Sequence, residues 1–219
     1  MALVFFGDGP TAAQCFVDAG AAGMTYGQTL VFASGIESPG CYIDCRKLPA
    51  HPKSWKVLLQ GVVRYLATAS ISFDTIASVE VGGIPHASVL GWQMTTPSVW
   101  VRKKPKGYGI GGMIGGDPAA VKGKRVLLVE DMGTTGGSFE KAILILREEG
   151  AVVEDVILLI TYEFPELLAI AEKIGVTLHV HCSFQQVLDR MIELQRVPLD
   201  YSKLIRTWLA DPWAPWEWK

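Results

Sequence analysis

Cysteine is scarce in this chain of 219 residues: the four present, Cys15, Cys41, Cys45 and Cys182, form neither a CxxC pair nor a dense framework. That excludes a disulfide-stapled scaffold and suits a reducing compartment, so the cytoplasm is the expected location. Charge is scarce as well, at 19% of residues against 49% hydrophobic. Such a balance provides core material and too little charge for disorder. Neither sign dominates, since 20 Lys and Arg face 22 Asp and Glu for a formal charge of −2. A nucleic-acid partner held by general phosphate attraction is therefore not expected. No window supplies the ~18 uninterrupted apolar residues of a membrane span, and the opening MALVFFGDGP lacks the pattern of a signal peptide. The expectation is a soluble protein with no membrane partner, and the length favours a single domain over residues 1–219.

Internal repeats and low-complexity linkers are also missing, and strand and helix patterns alternate instead. A short helix is expected over residues 11–19. Leu30 to Ala33 and Cys41 to Asp44 read as the two strands of a small hairpin, joined by SGIESPG with its breakers Gly35, Pro39 and Gly40. Pro52 to about Ala69 carries apolar residues at helical spacing behind a proline suited to a first turn. A strand ending near Val81, a Gly82-Gly83 turn and a helix from about Pro85 follow, then a strand over Pro97 to Val101. RVLLVED, VVEDVILLI and VTLHV read as buried strands, separated by helices around Phe139 to Leu146 and PELLAIAEKI, with SFQQVLDRMIEL as the final helix. This order predicts an α/β fold with a mainly parallel sheet covered on both faces, and a ligand at the carboxyl ends of its strands.

Residues 126–138, VLLVEDMGTTGGS, concentrate the chemistry. A buried strand delivers Glu130 and Asp131, and a loop of Gly133, Thr134, Thr135, Gly136, Gly137 and Ser138 then opens a helix. Glycines let backbone amides approach an anion, the hydroxyls donate further bonds, and the helix dipole favours negative charge, with Ser138 expected as a capping serine. Two acids beside a phosphate would repel it, yet they are suited to accept hydrogen bonds from vicinal sugar hydroxyls. The implied ligand is a phosphorylated sugar. The loop lacks the lysine of the nucleotide-triphosphate loop, which excludes a P-loop ATPase.

A second segment complements the first. Arg102, Lys103, Lys104 and Lys106 fall within five positions, and six of the ten residues from Gly107 to Gly116 are glycine. A cationic, glycine-rich loop can close on a polyanionic leaving group and exclude water. GYGIGG, residues 107–112, also matches GxGxxG, but it follows a basic run and leads into more glycines rather than a helix, so the dinucleotide reading is rejected.

These segments carry a resemblance. VLLVEDMGTTGGS resembles the phosphoribosyl pyrophosphate (PRPP) motif of the type I phosphoribosyltransferases. FASGIESPGCYID, GGIPHA, VRKKPKGYG and ITYE are similar, in collinear order from about residue 25 to 165, to the hood, PRPP turn, lid and base-proximal strand end of the orotate phosphoribosyltransferase family. The resemblance implies the type I fold with a hood over about residues 25–50, a PRPP-binding core over about 70–182, a flexible lid, and a Trp-rich tail over about 197–219. It implies transfer of ribose 5-phosphate from PRPP to orotate, giving orotidine monophosphate and pyrophosphate. Lys106 would stabilise the leaving group, with Arg102, Lys103 and Tyr108 as lid contacts and Arg102 and Asp131 joining Lys106 as catalytic residues. Glu130 and Asp131 would hold the ribose and residues 133–138 the 5′-phosphate, Met132 would also belong to the PRPP-binding set, and Thr134 and Tyr162 would lie near orotate. Magnesium would be bound mainly by PRPP and water, and a homodimer would share its lids across subunits.

The chain also departs from some relatives, which carry lysines at the positions of Ala33 and Gly82, histidine at that of Tyr108 and arginine at that of Tyr162. Other branches lack those two lysines and have tyrosine at the last position. A phosphoribosyltransferase for another base, or a catalytically silent PRPP-binding regulator, are the alternatives. His179, His181 and Cys182 lack a fourth ligand at structural-zinc spacing, so no protein metal site is expected. Cys41, Cys45 and His86 are read as structural, and Trp208, Trp213, Trp216 and Trp218, clustered in the last dozen residues, as a packing tail.

Overall fold

Short apolar runs bounded by glycine and proline become strands here, and amphipathic stretches between them become helices. The computed structural model describes residues 3–105 and 112–217. Its strands are β1 (Leu3–Phe5), β2 (Ala22–Met24), β3 (Leu30–Val31), β4 (Glu37–Ser38), β5 (Cys41–Ile43), β6 (Thr75–Val79), β7 (Ser98–Val101), β8 (Ile114–Gly115), β9 (Val126–Gly133), β10 (Asp155–Thr161) and β11 (Thr177–Ser183). Its helices are α1 (Gly9–Asp18), α2 (Pro52–Thr68), α3 (Ile84–Met94), α4 (Gly137–Glu148), α5 (Pro165–Ile174), α6 (Phe184–Glu193) and α7 (Leu199–Ala210).

Among the described residues the main sheet runs β1-β11-β10-β9-β6-β7-β8, and each neighbouring pair is parallel except β7 with β8. β9 and β10 lie at its centre because VLLV and VILLI are apolar on both faces, as a strand covered twice must be. Leu127, Val129, Ile157 and Leu159 pack against α1, α2, α3, α6 and α7, while Leu128, Val156 and Leu158 pack against α4 and α5. Local signals set the helix ends. Asp8 caps α1 by accepting from the Thr11 amide, Ser183 and Gln186 form a capping box on α6, and Gly175 at φ +66° ends α5.

Two sequence expectations are corrected. Cys41 to Asp44 does not pair with Leu30 to Ala33. β3 pairs instead with β4, Leu30 opposite Ser38, and β5 pairs with β2, Met24 opposite Cys41. The chain reverses a second time at residues 38–41, where the Ser38 hydroxyl accepts from the Cys41 amide at 3.0 Å. Gly40, at φ +71°, lies so near β2 that a Cβ would stand 2.0 Å from the Thr25 carbonyl oxygen. The second correction concerns the end of the chain, since α6 is not the final helix. α7 follows, presenting Tyr201, Ile205 and Trp208 along one buried face.

Candidate active site

β9 ends at the carboxyl edge of the sheet with two acids in succession, one buried and one half-buried. The acids therefore differ. Asp131 is half-buried, and its carboxylate lies over Gly82 in the turn after β6, where a Cβ would come within 2.2 Å of Oδ2. Glu130 is only 5% exposed, and its Oε2 has no hydrogen-bond partner among the described residues. Burial first, and then the neighbouring Asp131, push the Glu130 carboxyl well above the usual carboxylate range. Asp131 is thus the acid that faces the Gly82 turn, and Glu130 is the buried member of the pair.

The loop that follows opens α4 differently from the expectation. Gly136, at φ +88°, precedes the helix, and no side chain caps it, so Ser138 is not the capping residue and its side chain is exposed. The first-turn amides are therefore left for an anion rather than satisfied internally. Gly136 is required by more than its φ, because a Cβ there would lie 2.9 Å from the Phe139 ring. Thr134, Thr135 and Ser138 line a cavity of about 460 Å³ together with Arg102, Lys103 and the hood residue Ala33.

The basic segment enters that cavity from β7. The Lys103 amide donates to Glu80 Oε2 at 3.0 Å, tying the lid to the Gly82 turn. Arg102 lies over the Trp100 ring at 5.9 Å, and its guanidinium donates to the carbonyls of Gly112, at 3.2 Å, and Ile114. It clasps the neck of the lid. Lys106 and Tyr108 lie outside the described residues.

Residues 50–165 match the phosphoribosyl transferase domain family. The orotate phosphoribosyltransferase of Ruegeria sp. (strain TM1040) is 35% identical over 206 residues, which cover 93% of this chain and 90% of that relative. The chain belongs to the orotate phosphoribosyltransferase family. That of Rhizobium meliloti is 40% identical over 170 residues, covering 74% of this chain and 70% of the relative. Among solved structures, orotate phosphoribosyltransferase from Aeropyrum pernix superposes with a TM-score of 0.68 at 30% identity, covering 83% of this chain and 98% of that one. Leishmania donovani UMP synthase shares the fold at a TM-score of 0.80 and 24% identity; this chain spans 93% of its own length there but 42% of the synthase. The mainly parallel sheet with flanking helices is accordingly the type I phosphoribosyltransferase fold.

Members of the orotate phosphoribosyltransferase family were the source of the base contact expected at Tyr162, and the structure places this side chain elsewhere. Tyr162 is 4% exposed, stacks on Phe184 at 4.6 Å and accepts the Ile43 amide on its hydroxyl at 3.1 Å. Its phenol is a strut between β5 and the end of β10, not a lining of the cavity. Met132 likewise packs against the core on the α1 side of the sheet.

Arg46, which the sequence reading did not single out, is an exposed hood residue within electrostatic reach of Asp131. Along 41–46 the odd residues are buried and the even ones are not. Cys45 Sγ lies 3.5 Å from the Asp131 carbonyl, which sets its exposed neighbour Arg46 beside the acid. The Arg46 Nε donates to Asp44 Oδ1 at 2.7 Å, and Asp44 first, then more weakly Asp131, raise the guanidinium pKa. At 62% side-chain exposure this ion pair adds under about 1 kcal/mol of stability, so its effect is to aim the guanidinium. The available signal was the DCR triplet directly after a strand.

The remaining residues are structural. Buried His86 accepts from Trp55 Nε1 at 2.8 Å. His179 joins Tyr65, at 2.6 Å, to Asp155, at 2.7 Å, and His181 stacks on Phe6.

Proposed function

We propose that the 460 Å³ cavity holds PRPP, with its 5′-phosphate on the amides and hydroxyls of residues 133–138 and its ribose hydroxyls on Asp131, backed by Glu130. The reaction is that of the family. PRPP and orotate give orotidine 5′-monophosphate and pyrophosphate, a pentosyl transfer of pyrimidine (UMP) synthesis. The bond from the ribose carbon to pyrophosphate breaks as the bond to the base nitrogen forms, and positive charge builds on the sugar between the two. Lys106 meets the departing pyrophosphate when the lid closes, with Lys103 and Tyr108 beside it and Arg102 holding the neck. Thr134 borders orotate.

Magnesium would be bound chiefly by PRPP's own oxygens and water. It would supply neutralisation of the diphosphate charge. A second copy of the chain offers its lid to this cavity in a cytoplasmic homodimer; no helix among the described residues is long and apolar enough to cross a membrane. The carboxylate of orotate is held by the hood, through Arg46.

The observation that carries this reading is the convergence of an uncapped helix N-terminus, the Arg102-Lys103 segment and the hood on one cavity. The deciding experiment is pyrophosphate release from PRPP across a panel of bases. Orotate-dependent turnover supports the reading. Turnover only with another base reassigns the specificity, and PRPP binding without turnover makes the protein a sensor.

A further inference from the structure

The family match spans residues 50–165, so the hood before it and the tail after it both fall outside. These two outlying segments pack on each other. The Trp208 ring of α7 meets Phe32 edge-on at 5.9 Å, Tyr162 at 5.9 Å and Phe164 at 5.5 Å. Phe32 directly precedes Ala33 and Ser34, the hood residues that line the cavity, and its amide donates to the Ile36 carbonyl at 2.9 Å across the hairpin tip. The ring beneath Phe32 therefore sets how far Ala33 and Ser34 reach over the cavity.

The other limb of the hairpin is held separately. The Tyr201 hydroxyl donates to the Pro39 carbonyl at 2.7 Å, and Trp216 Nε1 donates to the Glu37 carbonyl at 3.1 Å. Trp213 Nε1 reaches the Glu166 carboxylate in the first turn of α5, fastening the tail to the core. β3 and β4 contribute two residues each, and so small a ladder cannot hold its own position. Its position comes from what it rests on, and that includes the tail on both limbs.

We propose that the tail, residues 199–217, is a brace that fixes the hood over the base side of the cavity, with Trp208, Tyr201 and Trp216 as positioning residues for orotate. The proposal rests on the reading of the cavity given above. The Tyr201 and Trp216 donors described here go to the hood and not to the loop at 133–138, so loosening the brace affects the base more than the sugar phosphate.

The test uses the full chain with Tyr201→Phe and Trp216→Phe, each of which removes one donor and keeps a ring. Orotate KM rises ~3- to 10-fold in each, the scale of one net hydrogen bond. PRPP KM and kcat stay within about twofold of the wild type on the same scale. Hydrogen exchange quickens at the amides of residues 30–38, while β9 and β10 keep wild-type rates. Trp208→Leu shows the larger effect, and Trp208→Phe restores part of it. A purely structural role lowers the melting temperature and leaves orotate KM alone; that outcome overturns the proposal. If the wild-type chain does not use orotate, the reading of the cavity fails, and the brace is judged on exchange alone, where unchanged rates at residues 30–38 overturn it.

Discussion

The Asp131 carboxylate lies across the Cα of Gly82, so that any Cβ at residue 82 would stand 2.2 Å from Oδ2. The obstacle is the far end of a side chain, so the protein can yield by turning Asp131 away. Gly82→Ala should fold with a melting temperature near that of the wild type. The displaced acid loses its reach to the ribose, and misplacement on that scale costs ~10- to 100-fold. PRPP KM is expected to rise accordingly with orotate KM little changed. Wild-type kinetics with both substrates would show that Asp131 does not act from this position.

What the sequence revealed and what it hid divide along one line. β9, its loop and α4 were legible because an apolar strand, a glycine run and an amphipathic helix each carry a local signal. The pairing of the hood was not, because the reversal at Gly40 depends on the Thr25 carbonyl, which comes from just beyond the end of β2. Tyr162 looked like a base contact for the same reason. Its burial comes from Trp208 and Phe184, supplied by helices later in the chain. Glu130 and Asp131 differ in burial, which adjacency in sequence does not reveal.

Glu130 offers a pH test. Its folded pKa is raised above the unfolded value, first by burial and then by Asp131. The folded protein therefore holds a proton that the unfolded chain releases above about pH 4.3, and the group's contribution to stability declines as pH rises from there toward the folded pKa. Glu130→Gln, neutral in both states, should flatten the fall in melting temperature between about pH 5 and 7. An identical slope in the variant would mean that Glu130 is ionised in the fold.

Lys106 tests the lid. If it meets charge that develops only as pyrophosphate leaves, its removal should depress turnover without loosening the ground state. Lys106→Ala is expected to lower kcat by at least ~10²-fold, the scale of one transition-state contact, with PRPP affinity largely intact. Binding by calorimetry alongside single-turnover rates separates the two effects. Equal losses in both would make Lys106 a simple anchor for substrate.

Arg46 tests how the base is chosen. Orotate differs from uracil by a carboxylate, and a buried or rim carboxylate needs a cation or an array of donors. Residue 162, where some relatives have arginine, is here a tyrosine whose hydroxyl already accepts the Ile43 amide. Arg46, aimed by Asp44 and set beside Asp131 by the contact of Cys45, is the hood's available cation. A charge-assisted hydrogen bond contributes ~1.5–3 kcal/mol, or ~10- to 150-fold in affinity. Arg46→Leu should raise orotate KM by that factor, leave PRPP KM near the wild-type value, and narrow the preference for orotate over uracil. Arg46→Lys should recover only part of the loss, since a point charge does not reproduce a bidentate fork. An orotate KM that ignores both substitutions would move the carboxylate to the backbone amides of the hood, and Arg46 would then be a surface residue paired with Asp44 alone.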